Sequence, residues 1–120
     1  MCRNSAPRLR AAGGIQDTIA NLKEAIAGEH YEFTDMYPGM IETAKAEDAK
    51  LAFQGFEYAN EVEKEHHDLY SKALAAVEAG HDIEDLKIYV CPVCGHTEVG
   101  VRSEKCPICG VPGSTFIEVK

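Results

Sequence analysis

Basic residues are the first shortage. Lys and Arg number 12 against 20 Asp and Glu, which leaves a net charge of -8 and a pI near 5.0. Without a basic stripe to neutralise phosphates, the composition argues against a nucleic-acid or anionic-membrane surface. Long apolar runs are also missing, since nothing approaches the ~18–20 residues of a membrane span. The opening stretch carries Arg3, Arg8 and Arg10 but lacks the apolar centre of a secretory signal, so a cytoplasmic location is expected. Chain length is the third scarce quantity: the pattern divides 120 residues into about 80 of helical character and a cysteine-rich tail of about 35. A lone helical hairpin buries one side only, and so short a tail lacks a sufficient apolar core. The first wants another hairpin and the second wants a metal.

Residues 1–14 lack periodicity and end in Gly13-Gly14, which predicts an unstructured leader; Cys2 within it reads as an incidental exposed thiol. Residues 15–80 read as a helical hairpin. Asp17 or Thr18 caps a first helix running to about Ala44, and Glu47-Asp48 opens a second that stops at Gly80. Pro38 removes one backbone hydrogen bond inside the first helix and should bend or widen it there. Residues 81–87 form a polar linker, and residues 88–120 a small β module with strands at Ile88-Tyr89-Val90 and from Thr115 to Val119. Tyr89 and Phe116 are its expected core.

The hairpin's apolar series, Ile15, Ile19, Leu22, Ile26, Phe33, Met36 and Met40, is interrupted by Glu29, with Glu32 one turn on. The second helix repeats the interruption: Phe56 and Ala59 are followed by Glu63 and His66 before Tyr70, Leu74 and Val77. Positions i and i+3 share a helix face, so Glu29 pairs with Glu32 and Glu63 with His66. An isolated carboxylate in a buried stripe costs several kcal/mol, and a bridging cation removes that cost. A Glu-Lys-Glu-His-His run also fits a solvated helix face, but one such pair on each arm of a hairpin favours a metal.

Cys91-Pro92-Val93-Cys94-Gly95 and Cys106-Pro107-Ile108-Cys109-Gly110 are two Cys-x-x-Cys pairs separated by 11 residues. Four thiolates on two such turns enclose one tetrahedral ion, whether iron or zinc. Disulfides are the rival in an oxidising compartment, and a redox dithiol would need a strand-to-helix turn that the tail lacks.

With both constellations in place, the chain resembles the C-terminal part of rubrerythrin. The resemblance runs over about residues 15–120 and rests on Asn21 through Glu32, on Met36-Tyr37-Pro38, on Glu63-Lys64-Glu65-His66-His67-Asp68-Leu69-Tyr70 and on the two Cys-Pro-x-Cys-Gly turns. It implies a mainly α fold: a ferritin-like hairpin completing a four-helix bundle by dimerisation, joined to a rubredoxin-like β module. It implies metal-ligand roles for Glu29, Glu32, Glu63 and His66 at a non-haem di-iron site, with Glu32 moving in and out of the iron shell. Tyr37 resembles a tyrosine that hydrogen-bonds a ligand carboxylate, and Cys91, Cys94, Cys106 and Cys109 resemble the ligands of one further iron.

The activity implied is reduction of hydrogen peroxide to water by a peroxidase, with electrons arriving from an NADH-linked reductase or a rubredoxin through the cysteine-bound iron. Ferritin-like iron oxidation and storage, or a non-enzymatic electron carrier, are the alternatives. Two departures from the family pattern stand out. The spacing between cysteine pairs is one residue shorter than usual, and the first two family helices, with their own ligands, are not in this sequence. Symmetry offers one completion, a homodimer or larger even oligomer supplying each ligand twice. A separate chain, or a remnant lacking half its site, are the others.

Overall fold

The structure, a computed structural model, describes residues 5–84 and 86–120; Cys2 lies outside them. Helix α1 spans Ser5–Ala11. Over residues 5–11 this corrects the expectation of an unstructured leader across residues 1–14, of which residues 1–4 lie outside the described ones. Ala, Arg and Leu are good helix formers and need no apolar period for two turns, and the Gly13-Gly14 pair ends the helix by turning back onto Arg10 and Leu9 carbonyls.

Helix α2, Thr18–Tyr31, begins where Asp17 accepts a 2.8 Å hydrogen bond from the Ala20 amide. A π-helical segment, Glu32–Met36, carries it without a break into α3, Tyr37–Ala46. The widening expected near Pro38 therefore sits in the turn before it. The Tyr37 amide reaches back to the Glu32 carbonyl, and Thr34 Oγ1 donates to the His30 carbonyl at 2.6 Å. Three residues, including Asp48 at φ +53°, turn the chain into α4, Lys50–Glu78. Gly80, at φ +87°, closes α4 with backbone bonds to Val77 from its own amide and to Ala76 from His81.

The hairpin has almost no interior of its own. No residue of α2 is buried, and α3 and α4 bury only Ala44 and Val62. The periodic apolar residues are left half-covered along one face.

Three strands make the tail: β1 Ile88–Val90, β2 Thr97–Val99 and β3 Ile117–Val119, antiparallel in the order β2-β1-β3. The closing strand is shorter than expected because Gly113–Thr115 forms a 3-10 turn and Phe116 tucks into the core. That core is Cys91, Cys106 and Phe116, with Tyr89 packed against it as its composition suggested. Among the described residues, no helix is long and apolar enough to cross a membrane.

Candidate metal centres

The two cysteine turns are built alike. Amide hydrogen bonds from Gly95 to Cys91 and from Gly110 to Cys106 close each turn, and both glycines take positive φ, +86° and +81°. The four sulfurs converge, with Cys91 and Cys109 3.6 Å apart and Cys94 and Cys106 also 3.6 Å apart. An ion at ~2.3 Å from four sulfurs needs about 3.8 Å between neighbours, so the cradle fits one tetrahedral ion with little change. Burial opposes ionisation of Cys91, but the Cys94 and Val93 amides together with the Cys109 and Cys94 thiols outweigh it and bring its thiol down to about 7. Burial raises Cys94 and Cys109, the amides of His96 and Val111 notwithstanding. A cation in the cradle would hold all four as thiolates, overcoming the burial that raises Cys94 and Cys109.

The helical cluster forms where α2 faces α4. Ligand atoms of Glu29, Glu63 and His66 all lie within 4.8 Å of one another. His66 Nδ1 is 2.9 Å from Glu63 Oε2 and 3.7 Å from Glu29 Oε1, and these side chains are 24, 16 and 14% exposed respectively. Glu29 Oε2 is fully buried with no hydrogen-bond partner. Burial first, then the neighbouring carboxylates of Glu63 and Glu32, push Glu29 up to about 8. A buried, unpartnered carboxylate oxygen among like charges is a cation's place, and the carboxylate and imidazole donors suit iron.

Glu32 stands at the junction of α2 and the π segment, outside the converging trio, although its charge reaches Glu29. Tyr37 is held above its usual range by burial and then by Glu63, Glu32 and Glu29, and its ring packs 6.2 Å from Phe56. The hydrogen bond from Tyr37 to a ligand carboxylate is not among those of the described residues. Tyr70, which the sequence pattern treats as stripe, stands in a similar field: burial, then Glu29 and Glu63, raise its phenol. Its place one turn beyond His66 was the available signal.

The two centres meet at one imidazole. His66 Nε2 donates to the Gly95 carbonyl at 3.0 Å, and Thr97 Oγ1, 3.3 Å from the same nitrogen, donates to that carbonyl at 3.0 Å. A carbonyl only accepts, so Nε2 carries a proton toward Gly95, while Nδ1 faces the carboxylates of Glu29 and Glu63. The sequence did not reveal this contact, because nothing in spacing relates residue 66 to residue 95.

Residues 4–74 match the family model described as rubrerythrin, and residues 89–117 match the rubredoxin-like domain of rubrerythrin. The chain belongs to the rubrerythrin family. It is similar to rubrerythrin-2 of Clostridium acetobutylicum, 42% identical over 106 residues covering 88% of this chain and 58% of that protein. Nigerythrin of Nitratidesulfovibrio vulgaris is 38% identical over 106 residues, covering 88% of this chain and 51% of the relative. Among solved structures, the fully reduced, all-ferrous state of nigerythrin superposes with a TM-score of 0.77 at 36% identity, over 87% of this chain and 50% of that one. The chain spans about half the length of the curated relatives it matches. Rubrerythrins bind non-haem iron at a di-iron site and in a rubredoxin-like four-cysteine site, and this chain carries a Glu/His group and a four-cysteine cluster of those two kinds.

Proposed function

We propose that this chain reduces hydrogen peroxide to water as a rubrerythrin-type peroxidase in the cytoplasm. Glu29, Glu32, Glu63 and His66 would hold non-haem iron together with the same residues of a second copy. Cys91, Cys94, Cys106 and Cys109 would hold one further iron, with zinc the alternative there. The observation that carries the reading is the His66 ring, which faces the Glu29–Glu63 pair through one nitrogen and the first cysteine turn through the other. Such a link serves a relay, and neither a storage protein nor a lone electron carrier needs it.

Iron held by Glu29, Glu32, Glu63 and His66 would supply electrons for cleavage of the O–O bond. The chain's own residues do the rest. Each peroxide takes two electrons and two protons and leaves as two waters. Tyr37 and Tyr70, whose phenols burial and the carboxylates keep protonated, retain O–H donors beside the site. Glu29 holds a proton in the metal-free chain and releases it when a cation takes its place. Half-buried apolar side chains on both sides of the cluster exclude bulk water once the open face of the hairpin is covered.

A second copy is the simplest cover. It brings a like set of three carboxylates and one imidazole and gives both hairpins a shared interior. Electrons would enter from an NADH-linked reductase or a rubredoxin at the rim of the cysteine turns, where Val93 is 63% exposed.

Metal content and solution mass of anaerobically prepared protein test the assembly. About two irons per chain in an even oligomer are expected, and one metal per chain in a monomer would refute it. Glu63→Ala should abolish peroxide turnover while leaving reduction of the cysteine-bound iron intact. Turnover that survives this change would exclude the helical site as the place of reaction.

A further inference from the structure

His96 is the most buried polar residue among those described, 7% exposed, and neither centre uses it. Its Nδ1 lies 2.5 Å from Glu65 Oε2 on α4, and its Nε2 lies 3.1 Å from Glu98 Oε1 on β2. Carboxylates only accept, so both ring nitrogens donate, and the imidazole forms a crossbar between two anions on different modules. Glu98 is itself braced: its Oε2 accepts the Ser103 amide at 2.7 Å and its Oε1 the Ser103 hydroxyl at 2.6 Å. The ring also packs edge-on against the core Phe116, with centroids 6.2 Å apart. The crossbar is thus rigid on the module side and ends on a single carboxylate of the helix.

Glu65 sits beside His66 and one turn after Val62, so these three share the face of α4 that meets the module. Val62 is 1% exposed because the Gly95 turn covers it: a Cβ added at Gly95 would stand 3.5 Å from Val62 Cγ1 and 3.9 Å from His66 Cε1. That contact is small and apolar and would allow sliding. A charged hydrogen bond next to it would not.

We propose that Glu65, His96 and Glu98 form a clamp that fixes the cysteine module on α4 and thereby sets the register at which the Gly95 carbonyl meets His66. Glu65 and His96 are positioning residues; neither touches a metal ligand's donor atom nor the reacting atoms. The consequence for electron flow rests on the relay reading above, whereas the mechanical role does not.

The test uses the full chain and two readouts. In zinc-loaded protein, residual dipolar couplings of amides in α4 and in β1–β3 should fit one alignment tensor. Glu65→Ala, a change on the more exposed side of the clamp that removes the accepting oxygen, should require two, and so should His96→Gln. In iron-loaded protein, reduced and then mixed with hydrogen peroxide, Glu65→Ala should slow reoxidation of the cysteine-bound iron about tenfold or more. Its absorption spectrum and reduction potential should not change. The double variant should be no slower than His96→Gln alone, since a broken clamp cannot be broken twice. A single tensor in Glu65→Ala would overturn the clamp. Two tensors with unchanged reoxidation would support the clamp and overturn the relay. If His96→Gln fails to fold, Glu65→Ala decides alone.

Discussion

Glu29→Gln in protein whose helical site is stripped of metal should stabilise the fold, and the gain should grow with pH. Glu29 moves from 4.5 to about 8 in the folded chain, through burial and then Glu63 and Glu32. Because the folded value is raised, the carboxyl's favourable contribution is complete below about 4.5 and is lost as pH climbs toward 8, where the folded chain must finally accept a buried charge. At ~1.4 kcal/mol per unit, that displacement sets a ceiling on the order of 5 kcal/mol. Residual solvent contact and the field shared with Glu63 lower the expectation to about 2–3 kcal/mol by pH 8.5. Glutamine keeps the shape and cannot ionise, so its curve should lack this slope. Urea unfolding of both proteins between about pH 5 and 8.5 measures the difference directly. With iron restored, the ranking should invert, because the variant has lost a ligand. Parallel curves in the metal-free state would show that Glu29 is not desolvated and would remove the argument that this site is built for a cation.

Cys94→Ser should abolish the visible absorption of the cysteine-bound iron while iron remains in the helical site, as elemental analysis and spectroscopy can check. Gly95→Ala forces an L side chain into φ +86° and should cost about 1–2 kcal/mol in denaturant unfolding, with easier metal loss from the cysteine turns. Val62→Ala removes the most buried side chain of α4 and should destabilise by ~2 kcal/mol, mainly by loosening the module from the helix.

The hairpin and the cysteine turns were legible because their signals are local. A carboxylate inside an apolar period, a proline in a helix and a glycine after Cys-x-x-Cys each act within one or two turns of chain. Strand β2 was not foreseen, since Thr97–Val99 is only three residues long and is held by pairing with β1 rather than by its own pattern. Helix α1 escaped because a two-turn helix of Ala, Arg and Leu needs no amphipathic stripe. The contacts of His66 with Gly95 and of Glu65 with His96 span 29 and 31 residues. Nothing in either segment encodes the other, because each reads as a metal site complete in its own stretch of chain.

The nearly empty interior of the hairpin has a thermodynamic consequence. A fold whose apolar stripe is covered only by association draws its stability from the amount of protein present, so dilution acts on it as a denaturant acts on a self-sufficient domain. For two copies meeting on that face, the melting temperature would climb with concentration. Iron, bound across the same seam, would weaken that dependence by tying the halves together. Scarcity of chain and scarcity of metal would then have the same effect on this protein, the loss of its shape before the loss of its chemistry.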